Sequence, residues 1–470
     1  MGDSVAYCLS AGLGLYGNPK IAKEAWKFAI QNITYFLLAA LTYLLVMYIA
    51  DTYDHQQDFR RWKNIARLIM SGIIGTLVVI ILFFFPLGSF FGRTQLIIQA
   101  PTFIGLLVLW RYVFSALALP QRIQKRVLIV GAGNCGHRIL EAIRRRPRSG
   151  LTAIGFIDDD PRKIDTEIDG LPVMGNSAHI PDIVHRHHVS LIVVAITYEK
   201  TPALINTLTK ISWNGCQLTD MPSFYEILSG KVPIEHISDI WFYLNSMQIN
   251  RMYYRHLKRL FDLGLAFTGL ALNLPLFLFI GLAIRLDSPG PIFFRQERLG
   301  QDGKPFQILK FRTMIQEAEQ NGPQWTYEND FRITRIGWVL RRMRLDELPQ
   351  LLNILKGEMS FIGPRPERKF FIQEFQKPVL DLRLGRRRDD SPGRMVQYGF
   401  KEKIPFYSYR LMVKPGLTGW AQVMYPYASS LEQTREKLQY DLFYIKNMGF
   451  FLDMAILLKT MRIVLFGRGR

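Results

Sequence analysis

Long apolar runs near the start of the chain constrain its fold more than any other feature. A helix that crosses a bilayer needs about 20 mostly apolar residues. Residues 33–50, 68–91 and 96–119 each supply such a run, and a shorter, weaker run covers residues 5–16. We therefore predict a transmembrane region over residues 1–120 with three spans, and the number of further spans at the N-terminus stays open.

The basic residues around these runs predict which side of the membrane each connector faces. Cytosolic connectors are enriched in Lys and Arg. Four such residues lie between positions 60 and 67, only Arg93 separates the second and third runs, and three more lie at positions 122–126. We therefore expect the chain after residue 119 to lie in the cytosol. Three lysines at positions 20–27 would then lie on the side of the membrane away from the cytosol, against this rule. The topology of the N-terminus therefore stays open.

The net charge of +20 limits the classes of partner. Such a surplus fits nucleic acid, anionic lipid headgroups or phosphorylated substrates. Because the chain also has long apolar runs, lipid and phosphate fit better, and we expect no nucleic-acid partner. The three cysteines are widely separated and form neither a disulfide framework nor a metal-binding spacing.

Residues 121–250 have the pattern of a Rossmann-like domain. Strand-like and helix-like stretches alternate, which indicates a parallel sheet. The first strand-like stretch ends in the fingerprint Gly131-x-Gly133-x-x-Gly136, and acidic Asp158 follows at about the spacing of a ribose contact. Two interpretations stay open: the glycines bring a nucleotide phosphate to a helix N-terminus, or they serve only packing and the domain binds nothing.

Residues 260–286 form another long apolar run, interrupted at Asn273-Leu274-Pro275. Proline removes a backbone donor and clashes with the carbonyl four residues earlier, so we expect a kink at Pro275. Asn273 is the predicted partner for the polar atoms freed there. One interpretation is a kinked spanning helix. We favour a re-entrant helix over residues 258–286, because the regions on both sides of it are expected in the cytosol.

Residues 257–470 contain neither His nor Cys. This absence excludes a Ser-His-Asp triad, a cysteine nucleophile and a typical zinc site. Chemistry in this part of the chain has to use carboxylates, hydroxyls, Lys, Arg or a hard metal ion. Basic residues flank a predicted β-hairpin whose turn is at residues 300–303, and further arginines lie at positions 335–344.

Two adjacent carboxylates, Asp346 and Glu347, stand at the predicted start of an apolar helix. An acidic pair at a helix start is often an ordinary cap. Here the pair follows several arginines and precedes the rigid turn Pro364-Arg365-Pro366. An Asp carboxylate can attack phosphorus, arginines can stabilise phosphoryl charge, and a Glu can hold Mg²⁺. The residues themselves therefore allow either a capping pair or a catalytic pair.

Four stretches resemble the bacterial sugar transferase family, the monotopic polyprenyl-phosphate glycosyl-1-phosphate transferases. They are KFRTM at 310–314, LDELPQLLN at 345–353, MSFIGPRPE at 359–367 and KPGLTGWAQ at 414–422. The resemblance covers residues 251–470, and residues 1–250 are similar to the additions of the long family members. It implies a membrane protein of the α plus α/β class. Transmembrane helices and a Rossmann-like parallel-sheet domain would precede an α-helical catalytic domain with a re-entrant membrane hairpin and a small β-hairpin.

The resemblance also implies a two-step reaction. Asp346 would attack the sugar-linked phosphorus of a UDP-sugar and release UMP, and undecaprenyl phosphate would then take the phosphosugar from Asp346. Glu347 would bind Mg²⁺. The predicted phosphate contacts are cationic side chains: Arg365, Lys310, Arg312, Arg295 and Arg298. Similarity of the C-terminal segment to the exopolysaccharide branch of the family favours a hexose, galactose or glucose.

The partners implied by the resemblance are a UDP-sugar, undecaprenyl phosphate, the lipid bilayer and a second copy of the chain in a homodimer. The implied location is the bacterial inner membrane, with both soluble domains on the cytosolic face. The C-terminal helix at residues 450–466 is predicted to be interfacial or part of the core, and residues 383–400 to be an inserted loop. Two other interpretations compete: an NAD-dependent sugar-nucleotide enzyme built on Gly131, and a membrane scaffold that senses nucleotides.

Overall fold

A computed structural model of the chain describes residues 2–16, 25–50, 52–53, 62–84, 93–117, 125–147, 149–196, 201–238, 241–242, 252–316, 318, 330–369, 404–425 and 430–465. The chain forms two compact units, Met1–Thr219 and Asp220–Arg470. The predicted insertion at residues 383–400 and the basic residues Arg60, Arg61 and Arg122 lie outside the described residues.

The first unit begins with five helices: α1 (Gly2–Tyr16), α2 (Ala25–Gln31), α3 (Ile33–Ile49), α4 (Trp62–Val79, continued by a π-helical turn over Ile80–Phe84) and α5 (Arg93–Leu117). Each of the three predicted spans overlaps one of the last three helices. By length and composition, two helices of the described chain are able to cross a membrane, Asn64–Leu82 and His256–Asp287. Ile33–Ile49 and Ile97–Val113 are shorter apolar helices.

Helix α1 packs against α5 in the antiparallel sense. The Arg111 Nε atom near the end of α5 donates to Asp3 Oδ1 at the start of α1, at 3.1 Å. One turn further along α1, the Tyr7 ring meets Phe103 edge-on, with ring centroids 5.7 Å apart. The buried ion pair of Arg111 and Asp3 therefore brings the start of α1 and the end of α5 to the same end of the helix bundle.

A four-stranded sheet follows the helices in the first unit. Its strands are β1 (Lys125–Val130), β2 (Leu151–Ile157), β5 (Leu191–Val194) and β6 (Gln217–Asp220), in the spatial order β2-β1-β5-β6, beside a small antiparallel pair, β3 (Glu167–Ile168) and β4 (Leu171–Pro172). Strand β1 pairs in parallel with both β2 and β5. The connecting helices are α6 (Asn134–Arg144), α7 (Ile180–His187) and α8 (Pro202–Trp213). The predicted parallel sheet is confirmed.

The second unit is mainly helical, with short strands. Its helices are α9 (Met221–Ser229), α10 (Met252–Asp287), α11 (Arg335–Arg342), α12 (Gln350–Lys356), α13 (Trp420–Met424), α14 (Leu431–Lys446) and α15 (Phe450–Leu465). Strands β7 (Phe293–Leu299) and β8 (Pro305–Phe311) form the predicted antiparallel hairpin. A short parallel pair joins β9 (Ser360–Ile362) to β10 (Gly416–Thr418).

Residues 221–242, which the predicted 121–250 domain includes, pack into the core of the second unit. Val232, Ile234 and Phe242 are buried in one cluster with Leu442 and Ile456. The Lys231 ammonium also pairs with Glu436 at 2.7 Å. Helix α9 and the segment after it therefore belong with the C-terminal part of the chain and not with the parallel sheet.

Helix α10 runs without interruption through Asn273 and Pro275. Asn273 Nδ2 donates to Gly269 O at 2.8 Å, inside the helix's own preceding turn. A return of the chain to the same face would therefore be a bend within one helix and not a gap between two. The re-entrant hairpin stays a prediction.

Candidate active site

Asp346 and Glu347 lie in a single 3₁₀ turn, Leu345–Glu347, between helices α11 and α12. The turn begins at Arg344, which adopts a left-handed backbone conformation with φ of +56°. Helix α12 starts only at Gln350, after Pro349 as its N-cap residue. The pair thus precedes the helix that the sequence predicts it to open, and both side chains are buried.

Asn353 on α12 fixes the distance between this turn and the β-hairpin. Its fully buried side chain accepts a hydrogen bond from the Leu309 N–H at 3.1 Å and donates to Gln307 O at 2.7 Å. The amide therefore binds the edge of β8 as a neighbouring strand would. Because α12 is held there, Lys310 on β8 comes within reach of Glu347.

Glu347 is the negative centre of the site. Its Oε1 atom accepts hydrogen bonds from Lys310 Nζ at 3.0 Å and from Arg365 Nη2 at 2.7 Å. Burial by itself would raise the pKa of Glu347, but the charges of Arg365 and Lys310 outweigh it and hold that pKa well below its ordinary value. Glu347 is therefore ionised at neutral pH and orients two of the five predicted phosphate-binding cations.

Asp346 differs from its neighbour. Its carboxylate makes no hydrogen bond or ion pair within the described part of the chain. Burial raises the pKa of Asp346, with Lys310 opposing the shift and Glu347 adding to it. Arg341, whose Nε atom donates to Thr313 Oγ1 at 2.8 Å, also acts on the Asp346 charge. Asp346 is a buried carboxylate next to three cations with its oxygen atoms uncommitted, which suits a nucleophile.

The turn that carries Arg365 is held by close backbone packing. A Cβ atom added to Gly363 would lie 2.4 Å from Lys414 O. Gly363 N donates to Thr418 O at 2.9 Å, and Gly416 N donates to Pro364 O at 2.8 Å. Arg298, one of the predicted phosphate contacts, also donates to Pro366 O at 3.3 Å from the β-hairpin. Arg298 therefore supports the turn that carries Arg365.

The other two predicted cations lie elsewhere. Arg312 donates through Nη1 to Pro289 O at 2.5 Å and through Nη2 to Ser288 O at 2.6 Å, so it closes the turn after α10. Arg295 is exposed on β7 and forms no hydrogen bond or ion pair with another residue that the structure describes.

A buried charge network behind Arg365 carries no signal in the local sequence. Arg410 Nη2 donates to Arg365 O at 3.2 Å, and Arg410 Nη1 donates to Glu367 Oε1 at 3.1 Å. Arg410 Nε also lies 2.9 Å from Asp441 Oδ2, as an ion pair without hydrogen-bond geometry. The members come from three distant segments, so only the fold assembles them.

The chemistry of the donor set decides which metal ion suits the site. In the described residues no group of three or more His, Cys, Asp or Glu side chains is placed to hold a metal ion. Mg²⁺ is usually bound by one or two carboxylates together with water and substrate phosphates. The Glu347 carboxylate, predicted as the metal ligand, therefore fits Mg²⁺ that arrives with a diphosphate, and the described residues around it do not form a metal site made by protein alone.

The glycine fingerprint of the first unit lies at the end of β1. Gly131 has a φ of +114°, and a Cβ atom added to Gly136 would lie 2.1 Å from Gly131 O, whereas Gly133 faces open space. Asp158 Oδ2 accepts hydrogen bonds from Ala132 N at 2.8 Å and Lys163 Nζ at 3.0 Å. Packing thus explains two of the three glycines, and Asp158 is bonded within its own unit.

Two family models match the chain. Residues 253–467 match the bacterial sugar transferase family, and residues 48–222 match a CoA-binding domain. Among solved structures, UDP-D-quinovosamine 4-dehydrogenase from Vibrio fischeri is 22% identical, with a TM-score of 0.20, over 25% of this chain and 96% of that one. A TM-score this low carries no conclusion about this chain.

Several curated relatives are named as undecaprenyl-phosphate sugar-phosphate transferases. The UDP-N-acetylgalactosamine-undecaprenyl-phosphate N-acetylgalactosaminephosphotransferase of Aeromonas hydrophila is 39% identical over 54% of this chain and 55% of its own length. A putative undecaprenyl-phosphate N-acetylgalactosaminyl 1-phosphate transferase of Bacillus subtilis is 48% identical over 28% of this chain and 75% of its own length. The UDP-glucose:undecaprenyl-phosphate glucose-1-phosphate transferase of Escherichia coli is 29% identical over 72% of this chain and 67% of its own length.

By name these relatives are transferases of phosphorus-containing groups, the enzyme class predicted from the sequence. The chain spans about half the length of the Aeromonas protein. The family match, the identity to the Bacillus protein and the four motifs agree on one assignment. The chain belongs to the bacterial sugar transferase family.

Proposed function

We propose that this protein transfers a sugar 1-phosphate from a UDP-sugar to undecaprenyl phosphate in two steps. An Asp346 oxygen attacks the sugar-linked phosphorus, the bond from that phosphorus to the bridging oxygen breaks, and UMP leaves. An oxygen of the lipid phosphate then attacks the same phosphorus, and the Asp346 carboxylate leaves. The products are undecaprenyl-diphosphate sugar and UMP, and Asp346 returns to its starting state.

One observation carries this proposal: Asp346 is buried and uncommitted, whereas Glu347 beside it is held by Lys310 and Arg365. A nucleophile needs free lone pairs, and a group that orients cations needs its oxygens bound. The structure therefore supports Asp346 as the nucleophile and Glu347 as the partner of the cations. Arg365 and Lys310 would stabilise the charge on the phosphoryl oxygens during each displacement.

Glu347 is the residue that we propose to hold Mg²⁺, through the oxygen that Lys310 and Arg365 leave unbonded. The ion, when bound, neutralises charge on the diphosphate of the donor. Lys310 and Arg365 keep their contacts to Oε1 in this arrangement and remain next to the reacting phosphorus.

The surface of α10 supports a place at the membrane for this site. One face of the helix packs against the unit through Ala266, Ile280 and Ile284, in two core clusters. The opposite face exposes a row of large apolar side chains: Leu260, Phe267, Leu274, Leu278 and Leu282. Soluble proteins rarely expose so long an apolar row, so we propose that lipid covers it.

Both ends of α10 are attached to the same unit. Near the start, Arg259 donates to Ile354 O at 2.6 Å and to Leu355 O at 2.8 Å. At the far end, Asp287 accepts from Ile336 N at 3.1 Å. A helix that crossed the bilayer would separate its ends, so these contacts support the re-entrant arrangement and a catalytic unit on the cytosolic face of the bacterial inner membrane.

The identity of the sugar rests on the relatives. The sequence resemblance favours galactose or glucose, and UDP-glucose and UDP-galactose transferases are 29–30% identical to this chain. The relatives at 39% and 48% identity carry N-acetylgalactosamine in their names. We therefore propose a UDP-hexose or a UDP-N-acetylhexosamine as the donor.

A transfer assay on membranes that contain the full chain tests the proposal. UDP-galactose, UDP-glucose and UDP-N-acetylgalactosamine are supplied one at a time, with Mg²⁺ and undecaprenyl phosphate, and UMP release is measured. One donor should give UMP, and Asp346→Asn should abolish its release. Asp302→Asn, in the exposed hairpin turn, is the matched control and should keep full activity. UMP release that is unchanged in Asp346→Asn would contradict the proposal.

A further inference from the structure

The turn that carries Arg365 is held through its backbone carbonyl groups. Pro364 and Pro366 flank Arg365 and have no backbone N–H, so the turn cannot close hydrogen bonds of its own through them. Donors from outside the turn bind four successive carbonyls instead: Gly416 N binds Pro364 O at 2.8 Å, Arg410 Nη2 binds Arg365 O at 3.2 Å, Arg298 Nη1 binds Pro366 O at 3.3 Å, and Leu299 N binds Glu367 O at 3.0 Å. The position of Arg365 therefore depends on segments outside the turn.

Arg410 is the donor that binds the carbonyl of Arg365 itself. The same guanidinium donates through Nη1 to Glu367 Oε1 at 3.1 Å and to Tyr407 Oη at 2.8 Å, and its Nε atom lies 2.9 Å from Asp441 Oδ2. The Arg410 side chain is only 6% exposed. Because a guanidinium is planar with fixed donor directions, one orientation serves all these partners together. Arg410 is therefore held with Nη2 directed at the Arg365 carbonyl.

Arg365 connects this buried network to the carboxylate pair. Its backbone carbonyl accepts the hydrogen bond from Arg410, and its own Nη2 atom donates to Glu347 Oε1 at 2.7 Å. Within the described residues, Arg410 makes no hydrogen bond or ion pair with Asp346 or Glu347. The bond to the Arg365 carbonyl is therefore the link from Arg410 toward the reacting groups.

We propose that Arg410 is a positioning residue for Arg365. Its bond to the Arg365 carbonyl, oriented by Glu367 and Asp441, sets where the Arg365 guanidinium meets the transferred phosphoryl group. The inference rests on the proposed function for the reaction that Arg365 serves. Because Arg365 would stabilise charge that develops on the phosphoryl oxygens, a small displacement of its guanidinium lowers kcat more than it raises the KM for the UDP-sugar.

A double-mutant cycle between Arg410 and Arg365 tests this role. UMP release by the full chain in membranes is measured for Arg410→Lys, Arg365→Met and the double variant. Lysine keeps the positive charge beside Glu367 and Asp441 but lacks the fixed donor directions of the guanidinium. Arg410→Lys should lower kcat about tenfold, with a smaller change in KM. In the Arg365→Met background it should change kcat less than about twofold, because the residue that it positions is already gone. An equal loss in both backgrounds would overturn the proposal.

Arg332→Lys is the matched control for this cycle. Arg332 is another buried arginine of the second unit, with a side chain 6% exposed, and its Nε atom donates to Asp330 Oδ1 at 2.8 Å. This variant should keep the kcat of the parent chain. A loss as large as that in Arg410→Lys would also contradict the proposal, since replacement of a buried arginine would then be enough by itself. If Arg410→Lys does not fold, Tyr407→Phe takes its place in the cycle, because it keeps every charge and removes one acceptor of Arg410.

Labelling of arginine gives a readout that needs no turnover. Phenylglyoxal is applied to the full chain in membranes, and modification of Arg365 and of the exposed Arg335 is followed by mass spectrometry. In Arg410→Lys, modification of Arg365 should become faster relative to Arg335, because its guanidinium is no longer held against Glu347. An unchanged relative rate would overturn the proposal. If the proposed function alone is wrong, the parent chain releases no UMP while the difference in labelling remains, so the two failures are distinguishable.

Discussion

Two buried aspartates, Asp158 in the first unit and Asp346 in the second, have similar exposure and opposite surroundings. Their exposed fractions are 7% and 9%. Asp158 accepts hydrogen bonds from the N–H groups of Ala132 and Asp160 and from Lys163 Nζ, at 2.8–3.0 Å. Asp346 accepts none from the residues that the structure describes. The pKa of Asp158 is lowered because these bonds outweigh its burial, and the pKa of Asp346 is raised by burial.

The two carboxylates therefore differ in their committed partners and not in burial, and under the proposed function this difference separates a structural carboxylate from a nucleophile. Asp158 ties the glycine loop to the end of β2, and it already uses a backbone N–H of that loop. Asp346 is placed among cations that are engaged with Glu347, so its own oxygens stay available. Nucleotide binding by the first unit stays a prediction, and the Asp158 bonds count against it.

The largest expected effect is on the transfer reaction. Asp346→Asn should reduce UMP release on the order of 1000-fold or more, since it removes the proposed nucleophile and leaves only binding effects. Asp158→Asn should keep release within about twofold of the parent chain, because its bonds lie in the glycine loop. The rates of both variants in the same membranes give the comparison. If Asp158→Asn reduced UMP release as much as Asp346→Asn does, the contrast between the two aspartates would be contradicted.

Smaller effects are expected on folding stability, and they have opposite signs for the two aspartates. A lowered folded-state pKa means that the ionised Asp158 stabilises its unit above its unfolded-state pKa, and that this contribution is lost as pH falls through the folded-state pKa. Asp158→Ala should therefore destabilise the glycine loop by about 2 kcal/mol at neutral pH, because it leaves buried donors unpaired.

For Asp346 the sign reverses, because a raised pKa means that ionisation costs folding free energy at neutral pH. Asp346→Asn should stabilise the surrounding turn by about 1 kcal/mol. Hydrogen exchange of the amides near each site measures both changes. Destabilisation by Asp346→Asn would show that its carboxylate has partners that support the fold.

The smallest effect is a displacement of the pH profile. Because Asp346 has to be ionised to act as the proposed nucleophile, kcat/KM for donor cleavage should rise with pH through the raised pKa of Asp346. Its acid limb should therefore lie above the ordinary carboxyl value of about 4. Arg341→Met should move that limb to still higher pH, since the Arg341 charge favours the ionised form. A profile without an acid limb above the ordinary carboxyl range would contradict the raised pKa.

Local sequence patterns predicted the elements but not their assembly. The apolar runs, the glycine fingerprint and the hairpin turn each have a short-range signal, and helices α3–α5, the parallel sheet and the β7–β8 hairpin follow from them. The membership of residues 221–242 in the second unit has no such signal, because Val232 and Phe242 are buried by residues about 200 positions later.

Prediction of the site residues from the sequence has the same limit. Lys310, Glu347 and Arg365 were named from motifs, and the structure brings all three together. Arg312 lies in the same motif as Lys310 and Arg298 flanks the predicted hairpin, yet both bind backbone carbonyls at turns. A basic side chain in the sequence predicts affinity for phosphate. Whether its guanidinium instead donates to a nearby backbone carbonyl depends on the course of the folded backbone, which a local sequence pattern does not specify.

Trapping of the phosphosugar on the protein tests the central claim most directly. The full chain is incubated with its UDP-sugar and Mg²⁺ without lipid acceptor, and peptides are analysed by mass spectrometry. The account predicts a sugar-phosphate adduct on the peptide that contains Asp346, which disappears when undecaprenyl phosphate is added. UMP release without any adduct, or an adduct that persists in Asp346→Asn, would contradict it.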